Sequence, residues 1–366
     1  MTPAKKRALM VFAATWVAGL VSLAVVLRLA WTYGDRPAGW AQGKVEIEIP
    51  PGAGAGEVAD RLAAAGLIGN PAVFRLYAGQ RGVASRFKAG KYEINAPATP
   101  RQILEVLVKG AADELVTVVV PEGKNLVEIA EILEAAGVAP RAAILMKATD
   151  PAFAAELGLP GASLEGYLFP DTYRLRPHTP PARALIPMVR RHRQVFAELK
   201  AAHAKSVAEL KKTLGFDDAK IVILASIVEK ETGRGEERPR IAQVFMNRLH
   251  FPTFSPKLLQ TDPTIIYGCT VATPRSAACL KWDGRIRRIQ LDDHDNPYNT
   301  YTHEGLPPGP ISNPGRAALE AVMAPDHTPY LYFVAKNDGT HYFSQTVAEH
   351  NAAVVKFQRG GKPLAQ

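Results

Sequence analysis

The hydropathy pattern opens with an uncharged, mostly apolar run from Ala8 to Leu27, preceded by Lys5, Lys6 and Arg7. At about 1.5 Å per residue, such a run forms a helix long enough to cross a hydrocarbon layer of about 30 Å. Trp31 and Tyr33 follow Arg28, as in an interfacial aromatic belt. A cleaved signal peptide has an apolar core of only about 7–15 residues and ends in small residues, which LRLAWTYG does not supply. The pattern therefore predicts an uncleaved anchor over residues 8–30. The basic tail at 1–7 would be cytoplasmic, and everything beyond a linker at 31–44 would lie on the far side.

Beyond the linker the pattern alternates short extended stretches with amphipathic ones, and two passages superimpose without a gap. IEIPPGAGAGEVADRLAAAGLI begins at Ile47 and VVVPEGKNLVEIAEILEAAGVA at Val118. Each predicts a strand, a Pro/Gly turn and a helix closed by glycine. The first continues into a helical NPAVFRLYAGQ and an extended KAGKYEINAPA. Next comes a helix capped by Thr99, with Pro100 at its first position and Ile103, Leu104 and Leu107 on one face. After the second copy, LEGYLFPDTYRL reads either as an aromatic loop lining a sugar site or as a buried turn. Arg190 to Lys212 reads as a mostly solvated helical pair. Ile221 to Val228 is apolar on every side and predicts a helix at the centre of its domain. RPRIAQVFMNRL gives a further helix. LLQTDPTIIYG and YNTYTHEGLPPGPISNPG read as loops, and the last segment reads as a hairpin turning at Asn337, Asp338 and Gly339, then a helix. The fold class expected is α+β, with a single N-terminal transmembrane helix, a small module at 45–113, a larger α+β domain at 116–358 and a tail at 359–366.

Composition narrows the partners. The chain has 366 residues, 47% hydrophobic and 22% charged, with a formal charge of +9, which favours an anionic neighbour. The anchor points to a lipid surface and leaves nucleic acid out. Cys269 and Cys279 suit an oxidising compartment, joined as a disulfide or merely tolerated as a pair. Their spacing is not that of a zinc site, and no metal or cofactor is expected.

A glutamate placed directly behind the apolar helix is desolvated, and its raised pKa lets it serve as a general acid near neutral pH; this points to Glu229. The competing reading has Glu229 and Glu231 marking the end of the helix and pairing at the surface with Lys230 or Arg234. Gln260, Thr261, Asp262, Tyr298, Asn299, Thr300 and Tyr301 have the side chains that hold sugar hydroxyls and cover sugar rings, and Glu165 and Asp171 flank the aromatic segment.

The motifs EGYLFPDTY, ASIVEKE, NRL, LQTDPTIIYG, YNTY, GLPPGPISNPG, TPYLYFVA and HYFSQTVAEHN together resemble the YceG-like, endolytic murein transglycosylase family. The 45–113 module is similar in architecture to a LysM domain, which implies a glycan binder; a structural spacer is the alternative. The family resemblance implies an enzyme of the bacterial inner membrane with its catalytic domain in the periplasm. Such an enzyme cleaves the β-1,4 bond between N-acetylmuramic acid and N-acetylglucosamine inside nascent peptidoglycan strands, beside the synthases (penicillin-binding proteins). It leaves 1,6-anhydro ends. By position in ASIVEKE the resemblance puts the catalytic role on Glu229, with Asp262, Glu231 and Glu304 as candidates for any second carboxylate. A catalytically silent glycan scaffold and a hydrolase of another type are the other classes. The segment from Cys269 to Asn296 matches no motif of the family.

Overall fold

The computed structural model describes residues 32–50, 52–110 and 115–358, with isolated positions at 16, 17, 19, 21, 28 and 360. Among the described residues no helix is long and apolar enough to cross a membrane. The expected anchor lies almost wholly outside them, as do the 1–7 tail and nearly all of the 359–366 tail. The chain is α+β, with helices around two-stranded antiparallel sheets, and divides into two compact units, 1–114 and 115–366.

In the first unit β1 (Gly43–Ile49) pairs with β2 (Gly90–Ala96) in the register Ile47 to Tyr92 and Val45 to Ile94. Alternation turns Ile47, Ile49, Tyr92 and Ile94 inward onto α1 (Ala55–Ala64), α2 (Pro71–Gln80) and α3 (Pro100–Lys109). Sequence-local capping fixes where two of these helices begin. The Asn70 side chain accepts from the N–H groups of Ala72 and Val73, and Thr99 and Gln102 form a reciprocal capping box. Leu62, Phe74, Ile103 and Leu107 are fully buried between them.

The second copy of the repeat opens the second unit. There β3 (Val116–Val119) pairs with β4 (Thr172–Leu175), and α4 (Leu126–Ala135) starts from an Asn125–Glu128 capping box. In both copies the residue after the helix cap is a glycine in the left-handed region, Gly66 at φ 71° and Gly137 at φ 70°, as the shared pattern requires. α5 (Arg141–Ala148), α6 (Pro151–Glu156) and α7 (Pro181–Ala202) complete one core with Leu133, Leu164, Leu168 and Leu185.

A second core surrounds α9 (Asp218–Glu231) and is bounded by α8 (Ala204–Leu214), α10 (Arg238–His250) and α13 (Arg316–Met323). Ile221, Leu224, Ala225, Ile227 and Val228 are all buried, because neighbours cover α9 on every side, as its uninterrupted apolar run demands. The Arg190–Lys212 stretch forms the expected helical pair, α7 and α8, with most of its residues exposed, and α7 buries His192, Val195, Phe196 and Leu199 between its cations. One element differs from the sequence expectation. LLQTDPTIIYG is a loop only to Thr261; α11 (Asp262–Thr270) begins at the aspartate, with Pro263 in the first turn, where its missing N–H costs nothing. The short α12 (Arg288–Leu291) and the hairpin β5 (Tyr332–Ala335) and β6 (His341–Ser344) precede α14 (Val347–Phe357).

Cys269 and Cys279 are joined by a disulfide with Cα atoms 4.4 Å apart. Ile265 shares their small core, against which Trp282, Ile286, Leu291 and Tyr301 pack. The segment without a family motif thus braces α11 from behind. Reduction is expected to destabilise this unit by about 2–4 kcal/mol, the usual gain from closing such a loop. A thermal melt with and without reductant checks this, together with thiol labelling of unreduced protein; full labelling without reductant would mean the bond does not form.

Candidate active site

Glu229 and Glu231 both leave the last turn of α9, where the negative end of the helix disfavours a carboxylate. Two positions apart on a helix means about 200° around its axis, so they face opposite ways. Glu229 turns inward. Its side chain is only 4% exposed, and both oxygens are engaged: Oε1 accepts from Arg238 Nη2 at 2.8 Å and Oε2 from the Gly315 N–H at 2.9 Å. Burial raises its pKa above the usual carboxylate range; the Gly315 N–H and Arg238 oppose that rise without cancelling it.

The surroundings of Glu229 are a structural junction. Ser226 Oγ accepts from the Ile311 N–H at 3.0 Å, and Ser312 Oγ donates to the Ser226 carbonyl at 3.1 Å, pinning the GPISNPG loop to α9. The Asn313 amide donates to the Lys124 carbonyl and to Glu165 Oε1, each at 2.9 Å, and its oxygen accepts from the Leu168 N–H at 2.7 Å. A Cβ at Gly315 would lie 2.2 Å from the Glu122 carboxyl carbon, so that half-exposed side chain would have to move aside.

Glu231 faces the other way, into a cleft of about 580 Å³. One wall carries Gln260, Thr261, Asp262 and Tyr301; the other carries Tyr332, Phe333 and His341 of the hairpin and His350 of α14. Thr261 Oγ1 donates to Glu231 Oε1. Burial is the main cause of a raised Glu231 pKa; nearby Asp262 adds to the rise, while the Thr261 hydroxyl, Arg248 and His341 oppose it. Across the cleft mouth Tyr301 Oη donates to Asp262 Oδ1 at 2.7 Å. Gln260 holds φ at 52° and donates its N–H to the Thr300 carbonyl at 3.0 Å, which leaves its side chain exposed. A cleft of equal volume beside Lys200, Val207, Phe216 and Asp217 has no desolvated acid at its edge, so the chemistry argues for the Glu231 cleft.

Of the residues singled out from sequence, the cleft gathers Gln260, Thr261, Asp262 and Tyr301. Four others are braces. Asn299 is fully buried, its amide donating to the carbonyls of Gln290, Leu291 and Asp293. Thr300 is 1% exposed and bonds Thr261 and Thr264. Tyr298 packs on Tyr267 with ring centroids 4.8 Å apart. Glu165, 2% exposed, accepts from the Leu126 N–H, Tyr267 Oη and Asn313, so it ties three segments together and reaches no cleft. Asp171 pairs with Arg191 at 2.9 Å on another part of the unit, and Glu304 accepts from the Lys257 N–H. Glu229, the expected acid, is enclosed where its helix face meets the 121–124 and 312–315 loops, and it is Glu231 that lines the cleft. Sequence reading gave Arg248, His341 and His350 no role, and the signal that could have found them is that they lie in the family-like motifs NRL and HYFSQTVAEHN. Among the described residues no group of three or more His, Cys, Asp or Glu could hold a metal ion.

Comparison with known proteins accounts for the coincidence of these loops. The endolytic murein transglycosylase of Bacillus subtilis (strain 168) is 32% identical over 328 residues, covering 86% of this chain and 84% of that protein. The protein of the same name from Streptococcus pneumoniae serotype 2 is 29% identical over 346 residues, which is 85% of this chain and 58% of that longer one. The crystal structure of a yceG-like protein from Listeria monocytogenes superposes with a TM-score of 0.52 at 30% identity, covering 86% of this chain and 100% of the other. The family described as YceG-like matches residues 47–356, and this chain belongs to it.

Proposed function

We propose that this chain is an endolytic murein transglycosylase, a lyase that cuts within peptidoglycan glycan strands, and that Glu231 is its acid. The observation that carries the reading is a single desolvated carboxyl at a helix end, opening on a cleft walled by tyrosines and by Gln, Thr and Asp side chains. Two relatives bear the name of that activity.

Protonated Glu231 gives its proton to the glycosidic oxygen between muramic acid and glucosamine as positive charge develops at the muramyl anomeric carbon. Its carboxylate then takes the proton of the same sugar's C6 hydroxyl, whose oxygen closes on that carbon. The bond to the leaving oxygen is replaced by a 1,6-anhydro bridge, and no water is consumed. Tyr301, Tyr332 and Phe333 offer faces for the sugar rings, and Gln260 and Asp262 offer hydrogen-bond partners.

A second reading follows from Asp262, which is exposed in the same cleft: with two carboxylates the site would hydrolyse the bond. Digestion of purified glycan strands in oxygen-18 water separates the two. The expected new ends are lighter than a hydrolysed end by one water, resist borohydride and carry no label. Labelled, reducible ends would establish the hydrolase instead.

The remaining parts of the reading come from the sequence. They are a single-pass anchor at 8–30 in the inner membrane, a LysM-like module at 45–113 and a catalytic domain at 116–358 in the periplasm. Peptidoglycan synthases are the partners that would supply nascent strands.

A further inference from the structure

Arg248 is a cation in a dry place with no carboxylate paired to it among the described residues. The residue is 6% exposed. Its Nε donates to the Leu331 carbonyl at 2.7 Å and Nη1 to the Leu259 carbonyl. The rings of Phe245, Phe254 and Tyr332 stand 5.6–5.9 Å from its guanidinium carbon. Burial pulls its pKa down to about 10, so it stays charged at neutral pH. The two carbonyls and the three ring faces hold the guanidinium in place, and none of them carries a negative charge to neutralise it. Arg248 and Glu231 line the same cleft, and each stabilises the other's charge.

We propose that Arg248 is a positioning residue whose buried cation holds Glu231 in its ionised form between the two proton transfers, after the leaving oxygen has taken the proton and before the C6 hydroxyl returns one. This rests on Glu231 being the acid. The groups around that carboxyl are Thr261 and Asp262 on one wall and His341 on the hairpin. His341 is itself held by Glu237, Nδ1 to Oε2 at 2.7 Å. Tyr301, Tyr332 and His350 surround Arg248. Asp262 opposes ionisation of Glu231, whereas the guanidinium favours it at every working pH.

The sign of the effect is fixed. A nearby cation lowers the pKa of Glu231, the acid must be protonated to act, and activity falls as pH rises through that pKa. Removing the cation therefore moves the alkaline limb to higher pH while weakening the acid at the optimum. The test measures kcat/KM against pH on purified glycan strands for the full chain in detergent, comparing wild type, Arg248→Gln, Arg248→Lys and Glu231→Gln, with a melt of each. For Arg248→Gln the optimum is expected to fall about tenfold, while activity on the alkaline side relative to that optimum rises about threefold or more. Arg248→Lys keeps the wild-type limb even though it loses one carbonyl bond. Loss of activity in both variants with neither limb displaced would reduce Arg248 to a structural tie and overturn the proposal. If Arg248→Gln does not fold, Arg248→Lys decides alone, and a limb displaced upward despite the retained charge rejects it. Cleavage by Glu231→Gln would instead bring down the reading of the acid on which it stands.

Discussion

Glu231→Gln is expected to leave the chain folded and to lower glycan cleavage by about 10²–10⁴-fold, because the amide fills the same space and has no proton to give. Glu229→Gln is expected to behave differently. Its amide oxygen still accepts from Gly315 or Arg238, but Arg238 loses the nearer of its two carboxylates and keeps only Glu122 at 3.8 Å, so the cost appears as about 1–3 kcal/mol of stability. Cleavage by that variant should stay within about tenfold of wild type, since only its support has softened. Chromatography of released fragments and thermal melts of both variants check the pair. A folded but inactive Glu229→Gln beside an active Glu231→Gln would return the acid to the inward face of the helix.

Replacing Glu165 should have the largest effect on stability. Its carboxylate receives three donors from separate segments, and Glu165→Ala leaves all three without an acceptor in a dry interior, an expected loss of about 3–5 kcal/mol. Burial raises its pKa from the ordinary 4.5 to about 8. The folded chain therefore holds a proton that the unfolded chain has released. That contribution to stability is fully present below about pH 4.5 and is lost as pH rises through about 8. Denaturant melts of wild type across that window should show stability falling with pH, more steeply than in Glu165→Gln, which has nothing to titrate there. Glu229 and Glu231 contribute slopes of the same sign in both proteins, so the difference between the two curves isolates Glu165. Equal slopes would mean that Glu165 remains ionised and that its three donors outweigh its burial.

Local chemistry made much of both units legible without a structure. The strand, turn and helix repeat, the Thr99 cap, the hairpin turn at Asn337 to Gly339 and the apolar centre of α9 are each written in a few neighbouring residues, and each appears where those residues dictate. The candidate site was legible only as a set of motifs. ASIVEKE offers two glutamates, and since α9 is apolar all round, nothing in its sequence marks which side stays open. The answer lies in loops more than eighty residues away, which cover Glu229 and leave Glu231 to the cleft. For the same reason YNTY looked like a sugar binder and LEGYLFPDTYRL read equally as a sugar loop or a buried turn: Asn299, Thr300 and Glu165 have the right side chains but use their hydrogen bonds inside the fold. The sequence by itself determined most of the element types and the α+β class, because periodicity, caps and turns are local. Only the tertiary structure decided which acid is dry yet reachable and which cation stands beside it, because burial belongs to the assembled neighbours and to no single stretch of chain.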